Sequence, residues 1–252
     1  MSRRKQRRLS KTAAVYIPVG AILIVLLFIF GVSVFMKIID IDVVGASMYS
    51  DEEIIDASGL ASGDNLLFVD EELVKQNIHL NKPFVKNVTI TRLPPSAIRI
   101  EVTESQPMAR IDFQDVVLVI DSDCRVLMIT DSVPDGLIEV LGVQPESPVE
   151  GSPLKAVLGS DTNLEYLKNM LAILEKEGME KDVTFVDVSI ISKINFGYLG
   201  RFRVILGDLT GVRNKLNQLP GIVDSIDRGN PGGIKGDVDI SIPSAGWRFN
   251  EK

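Results

Sequence analysis

The run VKNVTITRLPPSAIRIEVTE, Val85 to Glu104, decides how the first half of this chain folds. Val88 and Ile90 alternate with Asn87, Thr89 and Thr91, the pair Pro94-Pro95 interrupts, and Ile98, Ile100 and Val102 alternate with Arg99, Glu101 and Thr103. A period of two is that of a half-buried strand, and two such runs across a proline break predict a hairpin. Upstream, YSDEEIIDASG sets Ser50 and Glu53 at capping-box spacing, with Ile54, Ile55 and Ala57 as apolar contacts and Gly59 as a left-handed stop. VDEELVKQNI places Asp70 as an N-cap, with Val69 and Val74 spaced to staple across it. Ahead of both helices, Ile39, Ile41 and Val43 alternate with Asp40 and Asp42, which predicts a further strand. The order strand, helix, helix, strand, strand predicts a compact α+β module of roughly 65 to 70 residues. In it Ile98, Ile100 and Val102 face Ile54, Ile55 and Leu73.

Further upstream, AAVYIPVGAILIVLLFIFGVSVFM, residues 13–36, carries no charge. At about 1.5 Å per residue such a helix exceeds a hydrocarbon core of about 30 Å. Six basic residues and no acid precede it (Arg3, Arg4, Lys5, Arg7, Arg8, Lys11), so the positive-inside rule keeps 1–12 as a short cytoplasmic tail and exports the chain beyond Met36. A cleavable signal peptide has a shorter apolar region and a small-x-small site, whereas this run ends in Val34, Phe35 and Met36. The sequence therefore predicts an uncleaved, single-pass transmembrane helix. Beyond it stand 21 basic against 34 acidic residues, a formal net charge of −13, which argues against nucleic acid as a partner.

After Pro107 the pattern is ARIDF, VVLVID, a Ser122-Asp123 turn and RVLMI, read as consecutive antiparallel strands. Val133 to Gly159 is rich in Gly and Pro and reads as a loop region. Thr162 and Glu165 then form a capping box, Leu164, Leu167, Leu171 and Leu174 a helical stripe, and Gly178 its stop. VTFVDVSI and INFGYLGRFRVILG read as strands, 212–219 as a helix, DRGNPGGIKG as a turn and DVDISI as the last strand. The second half is thus a strand-dominated domain with helices at its flanks.

Catalytic, cofactor and metal sites are not predicted. Cys124 and His79 are the only residues of their types, which removes an intramolecular disulfide and a His-rich metal site. GNPGGIKG lacks the G-K-[ST] of a phosphate cradle, and Asp121-x-Asp123 lacks the glycine and distal Glu of a calcium loop; both read as turns. The sequon Asn87-Val88-Thr89 falls inside a predicted strand. Trp247, the single tryptophan, suits either a core aromatic sealing the sheet or an exposed anchor.

In this order, SDEEIIDASGLASGDNLLFVDEELVKQNI, PFVKNVTITRLPPSAIRIEVTESQPMARI and the terminal GDVDISIPSAGWRF resemble the FtsQ/DivIB family of bacterial cell-division proteins. The middle stretch is the most specific, combining a strand, an R-x-x-P turn, I-x-I-x-V-x-E and P-x-A. The resemblance implies an α+β chain with a POTRA domain (β-α-α-β-β) over 38–104 and a mainly antiparallel β-domain over 105–250. It implies a non-enzymatic bitopic scaffold in the plasma membrane at the division septum, binding FtsL-like and FtsB/DivIC-like bitopic proteins. The family's partner strand adds at the end of the β-domain, which points to Val238, Asp239, Ile240, Ser241, Ile242, Ser244 and Trp247. Pro243 departs from an uninterrupted edge strand. The alternatives are a POTRA-containing translocation component, which usually repeats the module, and a cell-wall hydrolase, which needs a catalytic constellation.

Overall fold

A computed structural model describes residues 11–230, 233–242 and 246–251, apart from the side chains of 11–15, 28, 32 and 33. Arg3, Arg4, Lys5, Arg7 and Arg8 of the expected cytoplasmic tail, and Ser244 of the expected partner site, lie outside the described residues, whereas Lys11 of that tail is the first residue of a helix. Two compact units result, Met1–Asn81 with Asn87–Thr103, and Lys82–Lys86 with Glu104–Lys252.

The apolar run forms a helix, α1 (Lys11–Phe35), with Pro18 inside it. Its described apolar side chains, Ile24 and Phe30 among them, are exposed. Among the described residues no helix is long and apolar enough to cross a membrane.

The rest of the first unit follows the expected order: β1 (Asp40–Val44), α2 (Asp51–Ser58), α3 (Glu71–Asn81), β2 (Val85–Leu93) and β3 (Ala97–Glu104), with a 3-10 turn at Leu66–Phe68. The sheet runs β1-β3-β2, β1 lying parallel to β3. Both halves of the capping box are made: Glu53 N–H donates to Ser50 Oγ at 3.2 Å, and Ser50 N–H to Glu53 Oε2 at 2.9 Å. Gly59 closes α2 in the left-handed region. Asp70 Oδ1 accepts the Glu72 and Leu73 N–H groups and so starts α3.

Ile98, Ile100 and Val102 are buried, as is Ile54. Two expected core positions are corrected. Leu73 is 53% exposed, and Val74 and Ile78, one helical turn apart, face inward instead. Ile39 is likewise exposed, while its neighbour Ile38 is fully buried. Either residue satisfies an apolar stripe in so short an element, and only the packed sheet selects the phase.

The second unit is a nine-stranded sheet among the described residues, in the order β12-β11-β10-β9-β8-β7-β4-β5-β6. Its strands are β4 (Ala109–Phe113), β5 (Val116–Ile120), β6 (Val126–Thr130), β7 (Ile138–Leu141), β8 (Val183–Asp187), β9 (Ile194–Tyr198), β10 (Phe202–Gly207), β11 (Gly236–Asp239) and β12 (Arg248–Glu251). Helices α4 (Asp161–Glu177) and α5 (Val212–Gly229) connect β7 to β8 and β10 to β11. Leu167, Leu171 and Leu174 of α4, and Leu216, Leu219, Val223 and Ile226 of α5, are buried in the unit's core.

Several expectations for this unit need correction. Five of the sheet's eight pairings are antiparallel, as expected, but the sheet is mixed, because β4–β7, β7–β8 and β10–β11 pair in parallel. The expected loop from Val133 to Gly159 contains β7, whose Ile138 and Val140 are buried. Arg110 of β4 reaches Glu139 of β7 at 3.2 Å. Such a strand has its partners far away in the chain, so its four residues carry little local signal. Helix α4 starts after Ser160 rather than Thr162, and Ser160 Oγ accepts Gln144 N–H instead of capping the helix. Helix α5 passes through Pro220 to Gly229 because the buried stripe continues on both sides of the proline. Packing of that face outweighs the missing N–H.

Candidate functional site

The expected partner-binding residues fall on the end of the sheet built by β10, β11 and β12. Hydrophobic spacing starts the construction: Phe202, Val204 and Leu206 of β10 are buried, and α5 crosses back over the sheet to deliver β11 parallel to β10. Val204 pairs with Val238, and beyond the strand Ile240 N–H continues the ladder to the Ile205 carbonyl at 3.0 Å. Arg201 secures the crossover through two hydrogen bonds of 2.7 Å to the Asp227 carboxylate near the end of α5. These bonds hold Asp227 below the usual carboxylate range, and Asp227 in turn raises Arg201. The same guanidinium lies 4.5 Å from the centre of the Phe202 ring.

Strand β12, which the periodicity does not predict, pairs antiparallel with β11: Val238 faces Phe249 and Asp239 faces Arg248. Phe249 meets Phe202 edge to face at 6.2 Å and ties β12 to the core. The close approach explains Gly236, since a Cβ there would strike the Asn250 carbonyl and the Phe249 ring. The alternation of Trp247 and Phe249 with Arg248 and Asn250 is the available signal for β12, but it spans only two periods.

The expected site residues therefore divide. Val238 and Ile240 are buried core groups, and β11 is paired on both sides. Asp239 Oδ1 accepts Ser241 N–H at 2.9 Å, closing the strand, and Ser241 is half-buried. Ile242 and Trp247 are 57% and 44% exposed, apolar groups standing just before β12. The outer edge of the sheet is β12 itself, where Arg248, Asn250 and Glu251 are exposed. An edge strand flanked by exposed apolar side chains can accept another strand through its main chain and hold its side chains nearby.

The residues considered for other chemistry fold into structural roles. Asp121 is buried: Oδ1 accepts the Asp123 and Arg125 N–H groups and Oδ2 accepts the Ser105 hydroxyl at 2.6 Å, which makes a turn. Cys124 is buried, and desolvation pushes its thiol up to about 12, far from nucleophilic range. His79 lies in the last turn of α3. Among the described residues no three His, Cys, Asp or Glu side chains are grouped to hold a metal ion.

Residues 36–105 match the model of the FtsQ-type POTRA domain. The chain is 35% identical over 128 residues to the cell-division protein FtsQ of Corynebacterium glutamicum; the match covers 49% of this chain and 57% of that relative. It is 28% identical over 206 residues to the cell-division protein DivIB of Clostridium acetobutylicum, covering 80% and 78% of the two chains. With DivIB of Clostridium botulinum the identity is 24% over 243 residues, 95% of this chain and 90% of the relative.

Proposed function

We propose that this chain, which belongs to the FtsQ/DivIB family of cell-division proteins, is a bitopic scaffold that collects other division proteins at the septum. Proteins of this family are non-enzymatic. In our reading 13–36 anchors the chain in the plasma membrane with the amino terminus in the cytoplasm. A POTRA domain over 38–104 and a β-domain over 105–250 stand outside. The anchor rests on 24 uncharged residues, long enough for a bilayer, behind a basic and acid-free start.

The partners are FtsL-like and FtsB/DivIC-like bitopic proteins, and the docking edge is β12 with Ile242 and Trp247 beside it. The observation that carries this reading is that β12 ends the sheet and no described residue other than those of β11 hydrogen-bonds to its backbone. Main-chain bonding to a partner strand supplies affinity, and Trp247 supplies an anchor of large area. Co-purification of the full chain with an FtsB/DivIC-like partner tests it. Trp247→Ala is expected to weaken capture at least about tenfold, roughly 1.4 kcal/mol. Capture at full strength by the folded variant overturns the docking edge, and a fluorescent fusion spread evenly over the envelope overturns the septal role.

A further inference from the structure

We infer that the Leu67-Phe68 turn is a second, shallow contact with the bilayer, set beside the point where the chain leaves α1; this rests on the anchor reading above. The carbonyl of Met36, the last residue of the apolar run, accepts Leu66 N–H at 2.8 Å. Lys37 bridges to Asn65, Ile38 N–H donates to the Asp64 carbonyl, and Gly63 N–H donates to the Ile38 carbonyl at 2.8 Å. Four successive links therefore bolt the 61–68 segment to the residues that emerge from the helix.

The turn has one buried and two outward apolar side chains. Leu66 is fully buried and fixes the turn to the domain core, which leaves Leu67 and Phe68 facing out. Phe68 is 79% exposed, as exposed as Phe35 at the end of α1. Asn65 Oδ1 accepts Leu67 N–H and holds the 3-10 conformation that presents them. At about 3.5 Å of chain per residue, Phe68 stands within roughly 7 Å of the Leu66 tether. The interfacial layer of a bilayer is about 5 to 8 Å deep on each side of the hydrocarbon core. A helix that ends at the membrane surface therefore leaves these side chains in that layer.

The chemistry selects an uncharged interface. Asp64, Asp70, Glu71 and Glu72 flank the turn, so an anionic surface repels it, whereas the apolar pair and the exposed Lys37 suit the boundary of a zwitterionic bilayer. Two attachments, one spanning and one lateral, limit how the first domain tilts about its anchor.

The test uses the full chain in phosphatidylcholine vesicles, with Trp247→Phe removing the native fluorophore. Phe68→Trp, at an exposed position, is the probe, and Leu26→Trp reports on the anchor. Lipids brominated at graded depths are expected to quench the Leu26 probe from deep positions and the Phe68 probe from shallow ones, unchanged by salt. A quenched Leu26 probe beside an unquenched, water-like Phe68 probe overturns this inference and leaves the anchor standing. Two unquenched probes overturn the anchor, and this contact with it.

Discussion

The large sheet ends in two edges that are finished in opposite ways. On one side β6 is overlaid by residues 149–154: Val126 N–H donates to the Ser152 carbonyl, Gly151 N–H to the Val126 carbonyl, Leu154 N–H to the Cys124 carbonyl, and Ile129 N–H to Glu150 Oε1 at 2.7 Å. On the other side β12 has β11 behind it and no described group in front of it. Unpaired strand edges invite unwanted pairing and are normally blunted or covered. Under the proposed function, the edge overlaid by a dedicated segment is closed to pairing, and the edge whose four described residues are exposed or half-buried is the one a partner strand would use. Its exposed Arg248 and Glu251 are the kind of charged groups that discourage indiscriminate edge pairing.

The largest effect expected from testing this contrast is on the strand itself. Phe249→Ala removes the half-buried ring that ties β12 to Phe202. A core Phe→Ala change costs about 3 to 5 kcal/mol, so this one is expected to cost about 2, read from urea unfolding of the second unit. An unchanged midpoint means that Phe249 does not tie β12 to the core.

Next comes the main chain of the bare edge. Glu251→Pro removes an N–H that faces away from β11, because Gly236 N–H bonds the Arg201 carbonyl on the β10 side and so turns Asp237, with its partner Asn250, into the β11–β12 ladder. We expect at least about a tenfold loss in partner affinity, about 1.4 kcal/mol. Far-UV circular dichroism keeps the result interpretable. Wild-type affinity in a folded variant removes β12 as the docking strand.

The covered edge is expected to respond in the opposite sense. Glu150→Ala deletes the acceptor of Ile129 N–H and is expected to cost about 1 kcal/mol of stability. Partner affinity stays the same, while self-association rises as the β6 edge opens, measurable by light scattering. A loss of partner binding here would mean that the two edges are not functionally distinct.

The smallest effect is a pH dependence beneath the bare edge. Asp227 is held low by Arg201, so the pair stabilises the crossover above the carboxyl's unfolded value near 4 and loses this as pH falls through the lower folded value. The gap in melting temperature between the wild type and Asp227→Asn should therefore narrow with acidification below about pH 4. A gap that widens would reverse the sign and rule out the pair as its source.

How much of the molecule is legible in its sequence varies with the reach of the signal. Ser50 and Glu53 cap α2 through neighbours three residues apart, and Gly59 and Gly178 end their helices through their own backbone. The alternation in β2 and β3 puts Val88, Ile90, Ile98 and Ile100 on the buried side. Strand β7 and the phase of α3 are not legible, since Ile138 and Val74 are selected by partners distant in the chain. At the candidate site Ile242 and Trp247 emerge as exposed apolar groups, whereas Val238, expected at an edge, lies on a strand that β12 covers, and Ile240, just beyond that strand, is buried.

By itself the sequence determined the order of elements in the first unit, the apolar helix with its one-sided charge, and the likeness to a division-protein family. These depend on periodicity, capping and charge, all written within a few residues of one another. The tertiary structure alone decided that the sheet is mixed, which of its edges is covered, and that the chain's last residues form the strand beside β11. Strand pairing is satisfied by backbone groups common to every residue, so the choice of neighbour depends on which side chains can share a core, and that is settled only when the chain is assembled.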